Sequence, residues 1–247
     1  MEQDLFAGPT AKIGRARRHI SDLEQSIRAF LQTGACTVHI EEESDGGHTL
    51  KVAAVRPLPE EIPLIIGDAA NNLRSALDIL ISGFIANAGG NIATGSLPIR
   101  EKREDLETAL QGSEIGKVRP DIAQFILDRV KPYKDGTFPI WALSKLDNTN
   151  KHRLVIPIAA VTRLSGLSAR DDNNNTFPNM TVTVDHGRIM NLIRTGARMH
   201  ITNAGTPSIA VLFDKGQPFE GNAVLPTLEG VADVVSQTVE SFRVFAP

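Results

Sequence analysis

Two runs of short polar side chains interrupt otherwise apolar helical patterns, and both use residue types that hold anions or move protons. The first is Asn71-Asn72-Leu73-Arg74-Ser75-Ala76-Leu77-Asp78. On a helix Asn71, Arg74 and Asp78 stand at i, i+3 and i+7, so they project within about 60° of one another. An arginine there can stabilise a phosphate, and the amides can orient one. The same spacing also fits a structural Arg74–Asp78 pair, with the asparagines bonding nearby backbone. The second run is Asp147-Asn148-Thr149-Asn150-Lys151-His152-Arg153, directly before a strongly apolar segment. Asp147–Lys151 and Asn148–His152 are both i, i+4 pairs, and cations at a helix end complement the dipole. His152 is the best general acid/base candidate, because imidazole titrates near neutrality. Ordinary helix capping is the competing account of this block.

The element that must position the first block is the stretch Ile62–Asn87. Ile62, Ile66, Ala69, Leu73, Leu77, Leu80 and Phe84 fall on one helical face. Asp68, Asn71, Asn72, Ser75, Asp78 and Ser82 fall opposite, with Leu64, Ile81 and Ile85 on the same side at the ends. Solvated faces favour Lys and Glu, which are better helix formers than Asn, Ser and Asp. The pattern therefore predicts a helix buried on most sides, with a polar notch at its middle.

Around it the chain reads in order. Thr10 is a candidate N-cap for a helix to about Thr33, stopped by Gly34. Its narrow seam is Ile13, Ala16, Ile20, Leu23, Ile27 and Phe30, and its exposed side carries Lys12, Arg15, Arg17, Arg18 and His19. That basic cluster fits either phosphate or plain solvent. ACTVHIEEE and HTLKVAAV around Ser44-Asp45-Gly46-Gly47 read as a β-hairpin. After the central helix, residues 91–98 read as a plain connection. A short helix over about 101–110, a second opened by Pro120 and closed at Lys131-Pro132-Tyr133, and a third from about Pro139 follow, the third running directly into a strand. From Leu154 the segments LVIPIAAV, MTVTVD, RIMNLI, ARMHITN and SIAVLFD read as short strands. Asp171-Asp172-Asn173-Asn174-Asn175 reads as an exposed loop. A last helix over about 227–242 places Leu228, Val231, Val235, Thr238 and Phe242 on one face.

The expected fold is α+β: an N-terminal helical layer with an inserted β-hairpin, then a mostly antiparallel sheet and a closing C-terminal helix. Residues 1–152 form the helical region, with the hairpin at about 35–56, and 153–247 form the β-rich region, packed as one unit. The first and last helices are each expected on the central helix or its partner.

Composition sets outer limits. At 247 residues, 41% hydrophobic and 22% charged, the chain is outside the disordered and fibrous classes. A net charge of −3 gives no global pull toward nucleic acid, so polyanion contact needs a local patch. Cys36 is the one cysteine, which excludes an internal disulfide and a cysteine metal cluster. The opening MEQDLFAGPTAKIGRARRHI has no signal-like apolar stretch, and no segment is long enough to span a membrane. A cytoplasmic protein is expected, with no cofactor, no metal and no membrane partner. No nucleophile elbow, Walker loop or dinucleotide fingerprint is present.

The blocks IGDAANNLRSALDIL and LDNTNKHRLVIPI resemble a group of bacterial and phage-associated proteins that has no established activity. The likeness covers roughly 12–157. In that group the central helix carries an arginine, four intervening residues and then a histidine, similar to the Arg-x4–6-His motif of HEPN-type ribonucleases. The resemblance implies a helical protein that dimerises and cleaves RNA without metal. Arg74 matches the motif arginine, but the histidine position is Ile79, which transfers no proton. Three functions stay open. In the first, Arg74 and His152 act on RNA or a nucleotide, with Asp78 beside them and Asn71, Asn72, Asn148, Lys151 and Arg153 holding the substrate. In the second, the same notch only binds a small anion or nucleotide. In the third, both blocks merely tie helix to sheet. RNA or a nucleotide and a second copy of the chain are the expected partners.

Overall fold

A computed structural model describes residues 4–33, 36–42, 44, 48–54, 57–152, 157–183 and 194–246. Side chains along most of β1, β2 and β5, at 150–152 and at scattered positions of the longer strands lie outside that description. The chain is α+β, as its patterning predicts. Helix α1 (Ala7–Gln32) leads into a hairpin of β1 (Cys36–Glu42) and β2 (His48–Ala54), whose antiparallel register pairs Cys36 with Ala54 and Glu42 with His48. Helix α2 (Glu61–Asn87) follows, then α3 (Arg103–Gly112), α4 (Glu114–Val118), α5 (Pro120–Phe125) and α6 (Phe138–His152). Strands β3 (Pro157–Asp171), β4 (Thr176–Thr183), β5 (Arg194–Thr195) and β6 (Met199–Phe213) precede α7 (Val224–Ser241). The described strands form two antiparallel sheets, ordered β1-β2-β5 and β4-β3-β6.

Helix α2 is the spine. Its whole expected apolar face, from Ile62 to Phe84, is at most 1% exposed, and Ile81 and Ile85 on the other side are buried too. Leu64 is the exception at 52% exposed, so the notch is walled by apolar packing at its C-terminal end alone. Helix α2 stops where Gly89 takes φ 74°, a left-handed conformation that glycine adopts without a Cβ clash. Helices α1 and α7 both pack on α2 and on each other. The seam Ile13, Ala16, Ile20, Leu23, Ile27 and Phe30 is buried as the spacing requires. One core joins α1, α2, α6 and α7 with Val211 and Phe213 from the end of β6 and Phe219 beyond it.

Several boundaries move for local physical reasons. Helix α1 begins three residues before Thr10, whose amide is already inside the helix and donates to the Phe6 carbonyl. Phe6 takes the N-cap position without a side-chain cap, and its own amide donates to the Asp4 carboxylate at 2.9 Å in the turn ahead of the helix. Gly34 and the turn residues 45–47 lie outside the described residues, as do 153–156 after α6 and the segment RIMNLI. The helix opened by Pro120 ends in a π-helical turn (Ile126–Val130) closed by Lys131 at φ 51°. Helix α7 starts three residues early, and Val239 rather than Thr238 takes the buried position, Thr238 bonding the Val234 carbonyl.

The expected short strands ARMHITN and SIAVLFD are one strand, β6, that runs through Gly205-Thr206-Pro207 without a break. Its partner β3 is equally long, and the ladder from Pro157–Phe213 to Asp171–Met199 outweighs the local turn signal, keeping one register through Gly205-Thr206-Pro207 while the shifts fall to either side, between Val161 and Arg163 and between Ser168 and Ala169. Asp171 is not part of an exposed loop. It is 1% exposed and accepts hydrogen bonds from the Asn173 and Asn175 amides and the Asn175 side chain, which fixes the β3–β4 turn.

Candidate functional site

The two polar blocks meet, but not as one open notch. Arg74 and Asp78 form the i, i+4 ion pair at 2.9 Å, with their side chains 14% and 31% exposed. Both then reach the same backbone residue across the 91–98 connection. Arg74 Nη2 donates to the Leu97 carbonyl at 2.9 Å, and the Leu97 amide donates to Asp78 Oδ1 at 2.9 Å. One turn on, the Ser82 hydroxyl donates to the Gly95 carbonyl. A Cβ at Gly95 would stand 2.6 Å from that hydroxyl oxygen, so a side chain there would have to displace the Ser82 hydroxyl from its hydrogen bond. The connection read as plain is therefore clamped. Its signal was the spacing of Gly95 and Leu97, which has meaning only beside the helix it crosses.

Burial pulls the Arg74 guanidinium below its ordinary pKa, while the carboxylates of Asp78 and Asp147 pull it back up. Its Nη1 is buried and makes no hydrogen bond among the described residues. Asn71 turns from the pair toward α6, donating to Asp147 Oδ1 at 3.1 Å, and Asp147 is 2% exposed. Asn72 faces the other way. Its amide nitrogen donates to the Asp68 carbonyl at 2.8 Å, and its oxygen receives Lys12 Nζ at 3.4 Å. Ile79, which stands where the resembled motif would have its histidine, is 37% exposed and lines a groove with Ala7 and Gly8 of α1 and with Ser82.

Asn148 opens instead on a cleft of about 750 Å³ between α6, Glu101 and the loop Gly216-Gln217-Pro218. Trp141, Lys145, Asn148 and Thr149 form its α6 wall. Helical spacing puts 141, 145 and 148 at i, i+4 and i+7, one face of one helix. Lys145 Nζ lies 2.5 Å from Glu101 Oε1 and 5.7 Å from the Trp141 ring centroid, and Lys134 Nζ is 5.4 Å from that ring. Both lysines sit within cation–π range of the indole. The sequence reading missed Trp141 and Lys145. Their stripe with Asn148 was legible, while Glu101 and Gln217 come from distant chain and were not.

Position 152 ends α6 one turn beyond Asn148, and the His152 and Lys151 side chains and all of Arg153 lie outside the described residues. Among the described residues no group of His, Cys, Asp and Glu is placed to hold a metal ion, and no helix is long and apolar enough to cross a membrane.

The Lys145 hydrogen bond is the main cause holding the Glu101 carboxyl below its ordinary value of 4.5, with Lys134 adding to it. The Trp141 indole N–H helps weakly and closes no full hydrogen bond. A depressed carboxyl pKa means the pair is complete above 4.5 and is lost as pH falls through the lowered value. Trp141 is the one tryptophan. Its emission should therefore step as acid releases Lys145 at a pH below 4.5, and Glu101→Gln should abolish the step. A wild-type step that survives in Glu101→Gln would assign it to another group.

Comparison with protein-family models, with curated proteins and with solved structures finds no match to this chain.

Proposed function

We propose that this chain binds a nucleotide-like anion, and that the ligand sits in the α6 cleft rather than at Arg74. The observation that carries this reading is the α6 wall, where an indole, a lysine, an amide and a hydroxyl line one open cleft. A base stacked on an indole gains about 1–3 kcal/mol. Lys145 can leave Glu101 for a phosphate, and Asn148 supplies both a donor and an acceptor for a base edge. Arg74 is a poor phosphate ligand here, because Asp78 and Leu97 already hold its guanidinium in a half-buried clamp.

Adenosine mono- and diphosphate titrated into the protein should quench Trp141. Lys145→Ala should weaken binding about tenfold, the worth of one charge-assisted hydrogen bond. The absence of both quenching and calorimetric heat at millimolar nucleotide would remove the cleft as a nucleotide site.

The ribonuclease reading rests on one feature, the place of position 152 one helical turn beyond Asn148. In that reading His152 takes the 2′-hydroxyl proton. RNA cleaved in the presence of chelator, and spared by His152→Ala, would move the function from binding to catalysis. Uncut RNA leaves a binding module.

A further inference from the structure

We propose that the exposed face of α1 carrying Lys12, Arg15, Arg18 and His19 binds the phosphodiester backbone of a single-stranded polynucleotide, one base of which occupies the α6 cleft. The second half of that statement rests on the nucleotide reading above. The first half rests on α1 itself.

Positions 12, 15, 18 and 19 fall within about 120° of helix surface, and successive cations at a spacing of three rise about 4.5 Å along the axis. The remaining arginines of α1 are closed onto carboxylates, Arg17 on Asp233 at 2.7 Å and Arg28 on Glu24 at 2.6 Å. Among the described residues Lys12, Arg15 and Arg18 have no such partner. Lys12 bonds only the Asn72 amide oxygen, and Arg15 donates its Nε to His19 Nε2 at 3.1 Å. That bond aligns the arginine, and among the described residues both terminal amino groups stay uncommitted, which is the fork a phosphate takes. Asp22 and Asp68 border the patch as exposed residues, and neither forms an ion pair with it among the described residues.

The patch and the cleft flank the same turn of α2. Asn72 holds Lys12 on one side, and its neighbour Asn71 holds Asp147 on the other, where Asn148 enters the cleft. Asp147 is buried within the field of the Arg74 guanidinium, which offsets its charge toward a strand crossing between them. A basic track leading to an aromatic platform is how single strands are held without reading their sequence. A net charge of −3 gives no global attraction, so the binding relies on a local patch such as this one.

The test uses a fluorescein-labelled single-stranded RNA of about twelve nucleotides, its DNA counterpart and a DNA duplex, read by anisotropy, with a site size in the known range. The single strands should bind at least about tenfold more tightly than adenosine monophosphate. Neutralising three phosphates gives a log–log salt slope of about −2. The triple variant Lys12→Ala/Arg15→Ala/Arg18→Ala should lose most of that slope and at least about tenfold in oligonucleotide affinity. Quenching of Trp141 by the mononucleotide should be unchanged in the variant, which also shows that it is folded.

Wild-type oligonucleotide affinity in the triple variant would overturn the proposal, as would a duplex bound as tightly as the strands. Strands bound no more tightly than the mononucleotide would overturn it while leaving the nucleotide cleft intact. Binding that depends on α1 but leaves Trp141 unquenched would support the face and overturn the cleft reading alone.

Discussion

Replacing Asp78 with alanine is expected to cost the fold about 2–4 kcal/mol, read as a lowered urea midpoint with an unchanged m-value. The loss has two parts. Arg74 is left with a charge in a site whose desolvation already opposes it, and the Leu97 amide loses its acceptor. Breaking a fully buried pair costs about 3–5 kcal/mol, and the estimate is lowered because the Asp78 side chain is 31% exposed. Adding Arg74→Met should recover part of the loss, since the stranded charge goes with it. A notch open to solvent predicts under about 1 kcal/mol for Asp78→Ala. A loss that small would show that the clamp is not structural and would return Arg74 to candidacy as a phosphate ligand.

Phe84→Ala is expected to cost about 3–5 kcal/mol, the range for a buried aromatic whose neighbours cannot collapse into the space. Phe84 is 1% exposed near the end of α2. Its ring lies 6.4 Å from Phe6, edge to face, and 6.0 Å from Phe242. The Arg119 guanidinium stands 5.7 Å from its centroid. One side chain therefore joins the residue before α1, the spine and the residue after α7, so removing it loosens three elements together. For a chain of this size the loss corresponds to about 6–20 °C in Tm, measurable by calorimetry. Phe84→Leu should lie well short of that, because it keeps much of the apolar volume. A Tm within about 2 °C of wild type for Phe84→Ala would mean the aromatic cluster is not a keystone of the core.

Both predictions concern α2, and how much of each could be read beforehand differs for a physical reason. The burial of Phe84 was legible, because helical periodicity is local: seven apolar residues at three- and four-residue spacing define a face whatever packs on it. The seam of α1 was legible in the same way, and that of α7 except at Thr238, whose place Val239 takes. So was the β1–β2 hairpin, where alternation and a Gly-rich turn act over a few residues.

What the chain alone could not decide is where a polar group finds its partner. Arg74 and Asp78 were in reach of each other by spacing, but Leu97, which turns that pair into a clamp, lies 23 residues from Arg74 and 19 from Asp78. Asn71 and Asn72 are neighbours with the same chemistry, yet α6 takes one and α1 the other, because adjacent helical positions point about 100° apart. The continuity of β6 through Gly205 and Pro207 was decided by β3, whose ladder outweighs a local turn preference. The α6 cleft follows the same rule. Trp141, Lys145 and Asn148 share a stripe that sequence determines, while Glu101 and Gln217 reach it only through tertiary packing. Local repeat fixes which face is apolar, and long-range hydrogen bonds and ion pairs fix which polar groups are used up and which stay open to a ligand.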